Sequence, residues 1–146
     1  MANKKAISDK NNYKKTNDSL AVNYDSQRPV WRFDKLDRDG MFAFNLDEVN
    51  HRLVLEKLIE YGNLTWGEIK RQTHDKKDKS KHHYLSIEKL SKEAVARIKV
   101  KHFEDYSDII FSMALTNTVR LIGIKEKAEF FIVWYDKNHL FCPSSK

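Results

Sequence analysis

DIIFSMALTNTVRLIGIKEKAEFFIVWYDKNHL, residues Asp108–Leu140, holds three apolar runs joined by two short polar turns. In the first run Ile109, Phe111, Met113 and Leu115 alternate with Ile110, Ser112 and Ala114, and a period of two predicts an extended strand rather than a helix. Thr116-Asn117-Thr118 and Lys125-Glu126-Lys127-Ala128 are short enough to turn antiparallel hairpins. The third run, Phe130-Phe131-Ile132-Val133-Trp134-Tyr135, is apolar at every position, as a strand covered on both faces must be. The three runs therefore predict a β-meander that ends in a histidine, His139, and carries Arg120, Lys125, Lys127 and Lys137.

Working upstream, Val30-Trp31-Arg32-Phe33 and Met41-Phe42-Ala43-Phe44 flank Asp37-Arg38-Asp39-Gly40, a pattern that predicts a β-hairpin. A helix follows, with Asn45 as its cap, Glu48 reaching back, Leu46, Val49, Leu53, Leu58 and Ile59 on one face, and Gly62 as its stop. Thr65-Trp66-Gly67-Glu68 has the capping-box spacing of a shorter helix running to about Gln72, with Trp66 as a core residue. His74 to His83 lacks any aliphatic residue and predicts a solvated loop bearing Lys76, Lys77, Lys79 and Lys81. Tyr84 to Ile87 is a brief strand or turn, and Ser91 caps a third helix whose Ala94, Val95 and Ile98 point inward. Residues 1–29 hold few large apolar groups and many Lys, Asn, Asp and Ser, which predicts a mobile basic arm. The expected fold class is α+β in one domain over residues 30–146: an N-terminal β-hairpin, one helical layer, and a three-stranded antiparallel meander packed on it.

At 146 residues the chain can bury a core without disulfides or a metal. Its single cysteine, Cys142, has no partner in the chain, which makes a reducing compartment the default. With no apolar run of roughly 20 residues and a hydrophilic N-terminus, a cytoplasmic location and no membrane association are expected. The 27 Lys and Arg against 21 Asp and Glu give a net charge of +6, which favours a polyanionic partner. The six histidines follow no standard metal-ligand spacing, no G-x-S-x-G elbow is present, and the glycines are isolated, so neither metal nor other cofactor is expected.

Metal-free RNA cleavage asks for little: a base for the 2′-hydroxyl, an acid for the leaving 5′-oxygen, and cations for the phosphorane. His139, Arg120 and His83 are the candidate catalytic residues. Lys77, Lys79, Lys81, His82 and Lys125 are the candidate phosphate contacts, and Tyr84 and Tyr135 are the candidate stacking surfaces. Each also has a structural reading. Arg120 fits a strand residue snorkelling to solvent, His139 a strand-end cap, the Lys76–Lys81 run a solvated loop, and Tyr135 a half-buried strand aromatic.

Arg120-Leu121-x-Gly123 on the middle strand, followed by Phe-Phe-Ile-Val-Trp-Tyr-Asp on the next, resembles the C-terminal half of RelE-like toxins over residues 90 to 140. That resemblance implies a small basic ribonuclease of a toxin–antitoxin system. It would have Arg120 and His139 in the places that serve messenger RNA cleavage, and an antitoxin as a protein partner. The aromatic runs at residues 30 to 44 and the Thr65–Glu68 segment depart from that pattern. The stretch from Trp31 to His139 is also similar to a bacterial family of unassigned function that shares the Trp-x-Phe start and the Trp-Tyr-Asp-x-x-His end. Two rival readings stand beside the nuclease. One is a non-catalytic module of a phage or mobile element that grips nucleic acid or an acidic protein. The other is a homodimeric structural or regulatory protein, joined through Trp31, Phe33, Phe42 and Phe44.

Overall fold

The all-apolar third run is strand β5 (Glu129–Asp136), buried at every position but its first in a computed structural model that describes residues 24–74 and 79–143. β5 pairs antiparallel with β4 (Arg120–Glu126), and β4 pairs antiparallel with β3 (Ile110–Ala114), which is the expected meander. Two short strands complete the sheet among the described residues. β1 (Val30–Arg32) lies parallel to β5, and β2 (His83–Tyr84) lies antiparallel to β3, giving the order β1-β5-β4-β3-β2.

The hairpin expected at residues 30–44 does not form. Its first run is β1, but it pairs with β5 rather than with Met41–Phe44, which takes no strand conformation. The Asp37–Gly40 segment is used differently. Asp37 is buried and its carboxylate accepts both Nε–H and Nη2–H of Arg97 at 2.9 Å and the Trp134 indole N–H at 2.9 Å. Its backbone N–H donates to Val133 O, so a segment with turn chemistry is laid across the sheet instead of doubling back. Phe42 and Phe44 are therefore core residues and Trp31 is half-buried, leaving only Phe33 of the proposed dimer face well exposed.

Helix α1 (His51–Gly62) begins later than expected. Asn45 closes a local turn by accepting the Asp47 N–H, and Asn50 is the cap, accepting the Leu53 N–H at 3.0 Å. Helix α2 (Trp66–Lys70) has the full Thr65–Glu68 capping box, and α3 (Lys92–Val100) is capped by Ser91. The helices do not form one layer. α1 and α2 pack with Phe111, Met113, Leu121, Phe130 and Ile132 on one face of the sheet, and α3 packs with Ile110, Ile122, Ile124 and Trp134 on the other. Two-sided cover is what the unbroken apolar run of β5 demands. Where β5 carries one extra residue opposite Ile122/Gly123, the backbones approach so closely that a Cβ on Gly123 would lie 1.8 Å from Phe131 O. Most of the expected N-terminal arm, residues 1–23, lies outside the described residues.

Candidate nucleic-acid interface

The pairing register places Arg120 at one end of the sheet, with His83 two residues in from that end on the edge strand and His139 just past the last strand. Arg120 opens β4 opposite Asp136, the last residue of β5, and opposite Ala114, the last of β3, and His83 opens β2 opposite Ser112. His139 follows three residues beyond β5. The Asp136 carboxylate shapes that exit by accepting the N–H groups of Leu140 at 2.9 Å and Phe141 at 2.8 Å. His139 itself takes φ 58°, a left-handed conformation uncommon outside glycine, so the tight exit turn fixes where the imidazole stands.

The electrostatics tie these groups together. Burial first, then the Arg120 charge, holds the His139 imidazole below the usual histidine range, with Asp136 opposing and His83 and His74 adding to the effect. His83 is lowered by burial, then by Arg120 and His74, against a hydrogen bond that the ring donates to the Ser80 backbone carbonyl, which raises it. Both shifts favour the neutral ring, the form that accepts a proton. His83 is exposed and His139 is half-buried.

Arg120 is placed as expected but occupied otherwise. It is buried, and its guanidinium donates to Thr116 O at 2.7 Å, Asn117 O at 3.1 Å and Val119 O at 3.2 Å, closing the β3–β4 turn. Burial lowers its pKa from the ordinary arginine value and Asp136 opposes that. It acts on this end of the sheet through its charge and through the turn, with little surface left for a phosphate.

Three other residues leave the contact set. His82 is sealed in the interior. Its Nε2 lies 2.8 Å from Gln72 Oε1, its Nδ1 accepts the Ala114 N–H at 3.0 Å, its ring meets Tyr61 edge-on, and burial pushes its pKa down to about 3. Alternation explains it: with His83 turned outward at a sheet edge, His82 must face the core. Lys125 lies at the far end of β4, 4% exposed, with Nζ 4.6 Å from the Trp66 ring centroid and donating to Lys127 O at 2.9 Å. Tyr135 belongs to the core beside Phe44, and its hydroxyl accepts the Asn50 N–H, so its ring offers no stacking face. Tyr84 keeps 42% exposure while its ring packs edge-on against Phe111, and burial with Asp25 and Asp108 raises its hydroxyl pKa to about 12.

The basic loop has structured feet. A bridge joins Thr73 to Ser80, His74 N–H donates to Lys79 O, and Lys81 N–H donates to Gln72 O. Lys79 is exposed and Lys81, two residues before His83, is half-buried, while Lys77 lies outside the described residues. Among the described residues no three His, Cys, Asp or Glu side chains gather to hold a metal ion, and no helix is long and apolar enough to cross a membrane. Sequence reasoning missed Asp37 and Asp136. Each is an acid buried beside apolar strand residues, and the Asp that ends the Trp-Tyr-Asp run was the available signal for the second. No family model, curated protein or solved structure matches the chain.

Proposed function

We propose that this chain is a basic RNA-binding protein of the cytoplasm that cleaves RNA without a metal, in the manner of RelE-like toxins, with His83 and His139 as its acid–base pair. The observation that carries this reading is that the Arg120 charge acts on both His83 and His139. One neutral imidazole takes the 2′-hydroxyl proton as that oxygen attacks phosphorus. The other, protonated, delivers a proton to the leaving 5′-oxygen, so the products are a 2′,3′-cyclic phosphate and a free 5′-hydroxyl. Lys79 and Lys81, on the segment that leads into His83, would hold the RNA backbone. Arg120 is a positioning residue that fixes the turn and lowers both histidines.

The test is incubation of the purified full chain with single-stranded RNA in excess EDTA, for the wild type and for His83→Ala and His139→Ala. Loss of either imidazole is expected to slow cleavage by about 10²–10⁴-fold. Because one ring must be protonated while the other is neutral and both are shifted downward, the rate should peak below pH 6.5. Intact RNA with the wild type across that range sinks the reading.

The full occupation of Arg120 by turn carbonyls favours a second reading, a module that grips nucleic acid without cutting it. In that case the wild type retards RNA in a gel in a salt-dependent way and leaves it whole.

A further inference from the structure

Immediately beside the His139 turn lies a cleft of about 380 Å³ that none of the foregoing roles uses. Its floor is Phe42, Val49 and Tyr135, and the floor is rigid: Tyr135 N–H donates to Phe42 O, and the Tyr135 hydroxyl is held by the Asn50 N–H. Two apolar side chains stand at its mouth more exposed than their chemistry favours, Met41 at 56% and Leu140 at 40%. The polar groups of its rim are Glu48, Asn138 and Lys137. Among the described residues, none of these three side chains has a hydrogen bond or an ion pair. Asn138 and Leu140 are the residues on either side of His139, so whatever fills the cleft sits next to that imidazole.

We propose that this cleft is a nucleobase subsite selective for guanine, with the base between Met41 and Leu140 and its Watson–Crick edge on the Glu48 carboxylate. The inference rests on the RNA reading above and names the nucleotide that the site prefers. The volume lies at the small end of the roughly 300–1,000 Å³ range of ligand sites, enough for one nucleoside and too little for two. A flat heterocycle covers exposed apolar side chains without losing polar contacts, as unstacked bases do when proteins read single-stranded RNA. A carboxylate accepts and cannot donate, so it selects an edge with two adjacent donors. Guanine offers N1–H and the 2-amino group side by side, whereas adenine, cytosine and uracil each set a donor next to an acceptor. Asn138, which both donates and accepts, suits the remaining O6 or N7, and Lys137 suits the adjoining phosphate.

The experiment is a calorimetric and NMR titration of the full chain with guanosine 5′-monophosphate and, separately, its adenosine, cytidine and uridine counterparts. The guanosine nucleotide should bind at least about tenfold more tightly than the other three, the low end of what one bidentate base contact discriminates. Its shifts should fall on Tyr135, Asn138 and Leu140. Glu48→Gln should erase most of that preference, and Leu140→Ser should weaken all four nucleotides alike. Both positions are exposed, so neither variant threatens the fold. Equal binding of the four nucleotides, a preference that survives Glu48→Gln, or shifts confined to another face would overturn the proposal. Guanosine selectivity in a protein that leaves RNA intact would support the subsite while refuting cleavage. RNA cut with no base preference would overturn the subsite while leaving cleavage standing.

Discussion

Strand β4 buries a cation at each of its ends, and the two ends differ in everything except that device. Arg120 closes the turn before the strand by donating to three carbonyls, and Lys125, roughly 17 Å away along the strand, closes the turn after it by donating to Lys127 O. Around Arg120 stand His83, His139 and Asp136; around Lys125 stand the Trp66 ring and the Lys70–Asp25 ion pair. A buried strand cation is therefore a structural element of this fold. What marks one end as chemical is the ring of imidazoles whose proton affinity Arg120 depresses, a feature the Lys125 end lacks.

Breaking the Lys125 end should have the largest effect. Trp66 is fully buried, donates its indole N–H to Ala128 O at 2.8 Å and meets Trp31, Phe111 and Phe130 edge-on. Trp66→Ala is expected to cost about 3–5 kcal/mol in denaturant unfolding, through a cavity and an orphaned carbonyl. A cost below about 1 kcal/mol would mean that this end does not anchor the sheet. Arg120→Met should cost less, about 1–3 kcal/mol, because three turn carbonyls lose their donor at a partly solvated edge. Its diagnostic effect is electrostatic. Removing a positive charge that disfavours imidazolium should raise the pKa values of both His83 and His139 in an NMR titration. Unmoved histidines would dissolve the distinction between the ends.

The smallest effect belongs to Lys125→Met. Burial, then the Lys70 charge, lowers the Lys125 pKa to about 8, while Asp25 opposes. The unfolded chain, with an ordinary lysine near 10.5, thus binds more protons than the folded one between those values. This group's contribution to stability therefore rises as pH climbs from about 8 to about 10.5, and is lost as pH falls through 8. Lys125→Met should remove that slope and change stability at pH 7 by no more than about 1 kcal/mol, since a well-packed apolar replacement offsets the lost hydrogen bond. A loss of several kcal/mol would show that the ammonium holds its end together as firmly as the guanidinium holds the other.

Much of the fold was legible because its signals are local. The alternation within Ile110 to Ala114, the unbroken run Phe130–Tyr135 and the Thr65–Glu68 capping box each depend on neighbours in the chain, and each stands in the structure, while Ile109 closes a 3-10 turn before the strand. The Asp37–Gly40 turn was misread because its partners are remote: Arg97 and Trp134 lie 60 and 97 residues away. The same limit divided the candidate residues. That Arg120 and His139 lie near one another follows from the register of the meander, whereas His83 joins them through the pairing of β2 with β3, which spacing did not reveal. Whether Arg120, Lys125 and His82 face ligand or interior depended on which carbonyls lie within reach, and spacing carries no trace of that. The cleft beside His139 was invisible for a further reason. Glu48, Asn138 and Met41 come from three separate segments that only the packed sheet brings together.

The parallel pairing of β1 with β5 sets the order in which this molecule can be completed. Val30 finds its partner at Glu129, and Asp37 and Phe42 bond to Val133 and Tyr135, so the early segment lacks its backbone partners in the sheet until the final strand exists. A chain still emerging from the ribosome must hold residues 30–44 in reserve through almost all of its synthesis. Closure of the edge is thus a late, long-range event of the kind that slows folding.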